Sequence, residues 1–341
     1  MKSQEGDVVV GRTMDFPVDF DWDFIVYPRG YQFSNTAPTG KGGLSWACKY
    51  GFIGIGIKGY DSITDGLNET GLSVELLWLA ETKYNELKDA NLAKTTDIAY
   101  LASWILGNFS SVNEVKSAIK DIRVCGGLVK ELNMFLPLHV AVHDAGGNNI
   151  VIEFVDGQTK IYDNPIGVMT NSPTFDWHIS NLRNYVGLDP FTLNSITMSG
   201  ETIQTMGSGS GLWGMPGDFC SPSRFVRLAY LNYFAEPAKT NEEQVVIAEH
   251  LLNSVDVPFG VEKEKDPQGN LVVYHTQWGV IKDLKNRVFY FRTYKDLSLK
   301  KVDLKKLNLV PGAKSKSALL NEGAVIIADT TENFIDIKQL N

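Results

Sequence analysis

What the sequence lacks narrows it first. No stretch approaches the roughly 20 consecutive apolar residues that a membrane-crossing helix needs, so no membrane span is expected. The first twenty residues hold no basic start followed by an apolar run, and no signal peptide is read there. Positive charge is in deficit: 32 Lys and Arg stand against 40 Asp and Glu, a net charge of −8. A nucleic-acid partner is therefore not expected, because such a partner is held by a basic face. Cysteine is scarce. Cys48, Cys125 and Cys220 are far apart, odd in number and without a CxxC pair, which argues against a disulfide framework and a thiolate zinc site. Among five histidines one pair, His139 and His143, has i,i+4 spacing. It sits in "LPLHVAVHDAGG", which alternates like a strand, and on a strand that spacing is roughly 13 Å, too far to share a metal. "DFDWD" supplies Asp19, Asp21 and Asp23 on one expected strand face, but no following glycine or distant Glu completes a calcium loop. No GxxxxGK[ST] pattern is present. No cofactor and no metal are expected.

What is there is ordinary globular material. The 341 residues are 43% apolar and 21% charged, which suits one large domain or two fused layers. No internal repeat, low-complexity segment or linker divides residues 1–341. "DVVVGRTMDF", "DFIVYPRG", "YGFIGIGIKGY" and "TGLSVELLWLAE" read as short strands. "TTDIAYLASWILGNF" has apolar residues at helical spacing. Capping boxes are expected at Ser111 with Glu114 and at Thr240 with Glu243. Strands return at "LHVAVHD", "NNIVIEFVDG" and "TKIYDN". Ser221 is expected as the N-cap of a helix over "SPSRFVRLAYLNYFAE", with Pro222 at its first position. "NLVVYHTQWGVIKD" and "NRVFYFRTY" are strand-like, and "EKEKDPQGN" reads as a solvated loop. Blocks of strands and blocks of helices, without strict alternation, point to an α+β layered domain.

Three polar segments interrupt the apolar runs. In "GRTMD", Arg12 and Asp15 are either an exposed pair at a strand end or part of a site. Residues i and i+3 face opposite sides of a strand, so a twist or bulge is needed to bring both to one place. In "TNSPTFDWHISNLRNY", Pro173 biases Ser172 to an extended conformation, and Asp176 is a candidate cap for a helix through His178. The stretch reads as a strand-to-helix turn, or as one whose Asn171 amide donates to an oxyanion. "GSGSGLWGMPGDFCSPSRF" is a glycine-rich connection that ends with Arg224 at a helix start.

Together with "DGLNETGL", these segments in this order resemble the choloylglycine hydrolase family, which contains bile salt hydrolases and penicillin V acylases. The resemblance covers nearly the whole chain. It implies a four-layer αββα sandwich of the N-terminal nucleophile hydrolase type. It also implies hydrolysis of linear amides through a thioester on a cysteine whose own α-amine is the base. An α-amine pKa of roughly 8 leaves some of it neutral at pH 7, and a nearby guanidinium favours the thiolate. Carried over, Arg12 sits beside the thiol, Asp15 holds the α-amine, Asn171 donates to the oxyanion and Arg224 orients the neighbours of the nucleophile. Penicillin V, conjugated bile salts and N-acyl homoserine lactones are the substrate classes implied. A homo-oligomer, tetramer or dimer, is implied as well, in bacterial cytoplasm or periplasm.

The chain departs from the pattern twice. The family places its cysteine about sixteen residues before the arginine of "GRTMD", whereas eleven residues precede Arg12. The first strand is therefore expected to be truncated at its start, and the 341 residues by themselves to be inactive. A non-catalytic ligand-binding relative is the alternative. Second, Trp78 stands where many bile salt hydrolases have an Asn. "LLWL" resembles the branch found in Gram-negative bacteria. Trp78 then serves as an oxyanion donor through its indole or backbone N–H, as a wall of the acyl pocket, or as core packing.

Overall fold

The computed structural model describes residues 1–87, 89–129, 134–266 and 268–320. Two antiparallel sheets form its centre. The first has the order β1 (Val9–Phe16), β10 (Leu271–Asp283), β11 (Val288–Thr293), β12 (Asp296–Asp303), and β9 (Glu262–Lys265) pairs with β10. The second has eight strands. In order they are β8 (Gln158–Asp163), β7 (Asn149–Val155), β6 (Leu138–His143), β5 (Ser73–Trp78), β4 (Asp65–Asn68), β3 (Phe52–Ile57), β2 (Trp22–Tyr27) and β13 (Lys316–Leu319).

Alternation of side chains along each strand separates three apolar layers. Met14, Phe24, Ile53, Ile55, Trp278 and Val280 fill the space between the sheets. Tyr27, Phe52, Val74, Leu76 and Val140 face α1 (Ile98–Asn108) and α2 (Val112–Ala118) on one outer side. Val9 and Ile281 face Val245, Ala248 and Leu252 of α5 (Asn241–Asn253) on the other. The layers run helix, sheet, sheet, helix, as the resemblance implied. A fourth cluster sets Phe175 of α3 (Phe175–Asn181) and Phe225 of α4 (Ser221–Phe234) against Val151 and Val168.

Several local expectations need correction. Glu262–Lys265 is a strand, not a loop, because Lys263, Glu264 and Lys265 pair with Val273, Val272 and Leu271 while their side chains stay in solvent; Pro267 lies outside the described residues. The Thr240–Glu243 capping box is complete. At Ser111 only half of the box forms, because Glu114 accepts instead from the backbone N–H of Ser110. Asp19 and Asp21 precede β2, so they share no strand face with Asp23; Asp19 lies 3.4 Å from His275 instead.

The space between the sheets also holds charge. Lys282 of β10 pairs with Asp65 of β4 at 2.7 Å and with Glu75 of β5. Arg12 of β1 lies 3.4 Å from Asp65, and His143 of β6 lies 3.3 Å from Glu75. All five are buried. Burial works against the Glu75 carboxylate, but Lys282 and His143 outweigh it and hold its carboxyl below the usual range. Removing one partner of a buried cluster leaves its neighbours uncompensated. Lys282→Met is therefore expected to lower the urea-derived unfolding free energy by about 3–5 kcal/mol. A loss below about 1 kcal/mol, the usual figure for an exposed pair, would rule this out.

Candidate active site

A cavity of about 1380 Å³ runs along β1. Every residue from Val8 to Val18 lines it, whichever face of the strand its side chain takes. That is the signature of a cavity following a strand edge. On its other edge β1 pairs with β10. The remaining walls come from Leu76 and Trp78 of β5, from Thr170 to Ser172, from Arg224 and Leu228 of α4, from Leu252 of α5, and from Glu262 of β9.

Arg12 and Asp15 meet the cavity from opposite faces. A register shift separates Met14 from Asp15, but it does not swing Asp15 to the side of Arg12, so the expected bulge is not what brings both to one cavity. Arg12 reaches between the sheets, where its guanidinium donates to the carbonyls of Thr64 and Leu76, each at 2.7 Å, and lies 5.2 Å from the Trp278 ring centre. Asp15 keeps company with Thr13, whose hydroxyl donates to Asp15 Oδ2 at 3.2 Å, and with Thr276, which donates to Oδ1. Arg224 Nη1 lies 3.6 Å from Oδ2. The two groups share the cavity because it follows the strand edge, not because they touch.

Arg224 links Asp15 to Asn171. Its Nη2 donates to Asn171 Oδ1 at 2.7 Å, and its Nε donates to the Phe219 carbonyl at 2.9 Å. Asn171 Nδ2 donates to the Trp78 carbonyl at 2.9 Å. These neighbours fix the amide without ambiguity: a guanidinium only donates and a carbonyl only accepts, so Oδ1 must face Arg224 and Nδ2 must face Trp78. One N–H of Asn171 then remains for a further acceptor.

The backbone of Asn171 is held as firmly. Its N–H donates to Ser221 Oγ at 2.9 Å, and Ser221 Oγ donates to Thr170 Oγ1 at 3.0 Å. Its carbonyl lies 2.9 Å from His178 Nε2. His178 is stacked on Phe225, and burial lowers its pKa. The peptide between Ser172 and Pro173 is cis. Two expected caps fail for reasons visible here. Ser221 is the first residue inside α4, and Cys220 takes the cap position, because the Ser221 hydroxyl is committed to Asn171 and Thr170. Asp176 lies inside α3, capped by position at Thr174, and accepts from the Thr174 hydroxyl; the first free N–H, of Phe175, goes to Glu153.

Trp78 is half-buried and lines the cavity, outside the packed core around Val74 and Leu76. Its fixed contribution is its carbonyl oxygen, which orients Asn171. Sequence reading missed Thr276, Ser221 in its real role, and the Asp65–Lys282–Glu75 cluster behind Arg12. The signal for the last was a carboxylate, Glu75, in the mostly apolar "LSVELLWL". Among the described residues no group of His, Cys, Asp and Glu is arranged to hold a metal ion. Cys48 is buried in another layer, where burial pushes its thiol up to about 12. Cys220 is exposed, and its bond to Asp218 raises its thiol pKa. Neither favours a thiolate.

Burial raises the Asp15 carboxyl above the usual range, against the pull of Arg224, Thr276 and Thr13. A folded-state pKa above the unfolded one means the native state binds the proton more tightly. That contribution is present below the unfolded value and is lost as pH rises towards the folded one. Asp15→Asn is therefore expected to gain stability over the natural chain as pH rises from 4 to 7, in chemical denaturation at each pH. A gain that shrank with rising pH would reverse the assignment.

The model for linear amide C–N hydrolases of the choloylglycine hydrolase family matches residues 1–336. A bile salt hydrolase/transferase of Clostridium perfringens is 31% identical over 91% of this chain and 92% of its own. A penicillin V acylase of Pectobacterium atrosepticum is 27% identical over 91% of this chain and 81% of its own. The solved structure of a conjugated bile acid hydrolase variant from Clostridium perfringens superposes with a TM-score of 0.84 at 29% identity, covering 97% of this chain and 98% of that one.

Proposed function

The chain belongs to the choloylglycine hydrolase family of linear amide C–N hydrolases, and from that premise we propose that it cleaves acyl amides of the penicillin V or conjugated bile salt type through the thiol of an N-terminal cysteine. The observation that carries this reading is the Asp15–Arg224–Asn171 chain on the wall of a cavity that follows the edge of β1.

The register supports the position of the thiol. Met1 exchanges both backbone hydrogen bonds with Val9, and Lys2 bridges to Val8. Each step outward from Met1 in that register moves one residue along β1. A residue about sixteen places before Arg12 then falls opposite Met14, on the Arg12 side of the strand and next to the Asp15 carboxylate. A cysteine there has a guanidinium on its thiol side and a carboxylate beside its α-amine. The thiol gives its proton to the α-amine, and the resulting thiolate attacks the amide carbonyl carbon. The free N–H of Asn171 receives the oxyanion. The amine leaves with the proton from the α-ammonium, and water releases the acyl group from the thioester. The apolar wall of Trp78, Leu138, Phe20 and Trp22 suits a flat or aliphatic acyl group.

The chain carrying that cysteine is expected to release glycine or taurine from conjugated bile salts, or 6-aminopenicillanic acid from penicillin V, and its Cys→Ala form to release none. Acyl binding by the 341 residues with no release from the cysteine-bearing chain would favour the binding-protein alternative.

We also propose that copies of this chain associate through the excursion around the hairpin Ile196–Met198 and Glu201–Ile203. Phe191, Leu193, Met198, Ile203, Met206 and Trp213 are exposed there, and an apolar group of that size marks an interaction surface. Met198→Asp with Ile203→Asp is expected to yield a 37.8 kDa monomer by light scattering, where the natural chain gives a dimer or tetramer. A natural chain that is itself monomeric would end this assignment.

A further inference from the structure

We propose that Thr276 is a positioning residue for Asp15: its hydroxyl proton is locked onto Asp15 Oδ1, which fixes the carboxylate rotamer and leaves Oδ2 turned to Arg224 and the cavity. The inference rests on the reading of Asp15 given above, and it concerns a side chain in a motif-free part of the sequence.

The lock follows from the bonds around the hydroxyl. Thr276 stands opposite Asp15 across the ladder between β1 and β10, just beyond the register shift. Its backbone N–H donates to the Val257 carbonyl at 3.0 Å, and the Val257 N–H donates back to Thr276 Oγ1 at 2.9 Å. A hydroxyl has one proton and two lone pairs. With Val257 N–H occupying the oxygen, the proton points to its remaining acceptor, Asp15 Oδ1. Thr276 is buried, so water does not compete for that proton. Two threonines thus grip one carboxylate, Thr276 on Oδ1 and Thr13 on Oδ2. The charged groups that face Asp15 from the surrounding elements are Arg224 on α4, Asp256 after α5 and Glu262 on β9. Two of the three are acids; Arg224 pulls hardest towards the Asp15 anion, and the hydroxyl protons of Thr276 and Thr13 add to that pull. A carboxylate that has to hold an α-amine needs its charge and its direction, and Thr276 supplies part of both.

The test uses carboxyl-carbon NMR titration of Asp15, assigned with Asp15→Asn, in the 341-residue chain, together with the pH profile of the cysteine-bearing chain. Thr276→Val is expected to raise the Asp15 midpoint by about one pH unit, the scale of one hydrogen bond to a charged group. The acid limb of kcat/KM is expected to move with it, and kcat to fall while KM changes little. Thr276→Ser is expected to keep the midpoint near that of the natural chain. If Thr276→Val does not fold, Thr276→Ala removes the same hydroxyl with less crowding and carries the same expectation. An unmoved midpoint in a folded hydroxyl-less variant would overturn the proposal. If the midpoint moves and Asp15→Asn still turns over amide at the natural rate, the positional lock stands and the catalytic reading of Asp15 fails.

Discussion

Four charges and an imidazole, sealed between the two sheets, set the geometry on which the site depends. Arg12 and Lys282 come from one sheet, and Asp65 and Glu75 come from the other. Apolar side chains between sheets tolerate some sliding, but a buried ion pair does not, because a displaced charge loses its partner and has no water to replace it. The cluster therefore fixes how β1 lies over β4 and β5. It also settles the electrostatics of Arg12. Asp65 is committed to Lys282 at 2.7 Å and stands 3.4 Å from Arg12, while the short bonds of Arg12 go to two neutral carbonyls. Asp65 thus serves Lys282 through Oδ1 and Arg12 through Oδ2, and the guanidinium is held in place where it lines the cavity.

The second half of the site is built on the helical side. α4 begins where the glycine-rich connection ends, and its first turn carries Ser221 and Arg224. Ser221 grips the backbone of Asn171, and Arg224 grips its side chain. Arg227, one turn on, donates to the carbonyls of Pro216, Asp218 and Ser254, tying the end of the connection to α4 and α5. Five glycines in that connection need not make it loose at its functional end, because buried cations collect its carbonyls there.

The legible part of this protein was what local pattern and motif carry. The strand at Val9–Phe16, the helix at Ile98–Asn108 and the capping box at Thr240 are local, and each formed within the stretch read for it. The illegible part depends on partners distant in sequence. Glu75 looked like the polar half of an alternating strand, yet its partner Lys282 lies 207 residues away and both are buried. Ser221 carried a helix-cap signature, and a residue 50 positions earlier claimed its hydroxyl. The charged edge strand at Glu262–Lys265 had the composition of a loop because its side chains are in water, and only its backbone pairing makes it a strand.

Trp78 shows how a residue can serve a site through its backbone alone. Its position invited a side-chain role, as indole donor or as packing, but its oriented group is the backbone carbonyl, 2.9 Å from Asn171 Nδ2. A carbonyl is available from any residue at that point of β5, so the side chain is free to become a wall of the cavity. Asn171 has no such freedom. It must accept from Arg224, donate to Trp78 and keep one N–H in reserve, and among side chains an amide meets all three demands. Aspartate lacks the donors and leucine lacks both kinds of group. Glutamine adds a methylene that would move the amide off Arg224 and the Trp78 carbonyl. The constraint on position 171 is therefore the number of hydrogen bonds it must make at once, and the constraint on position 78 is that its backbone carbonyl stay in place.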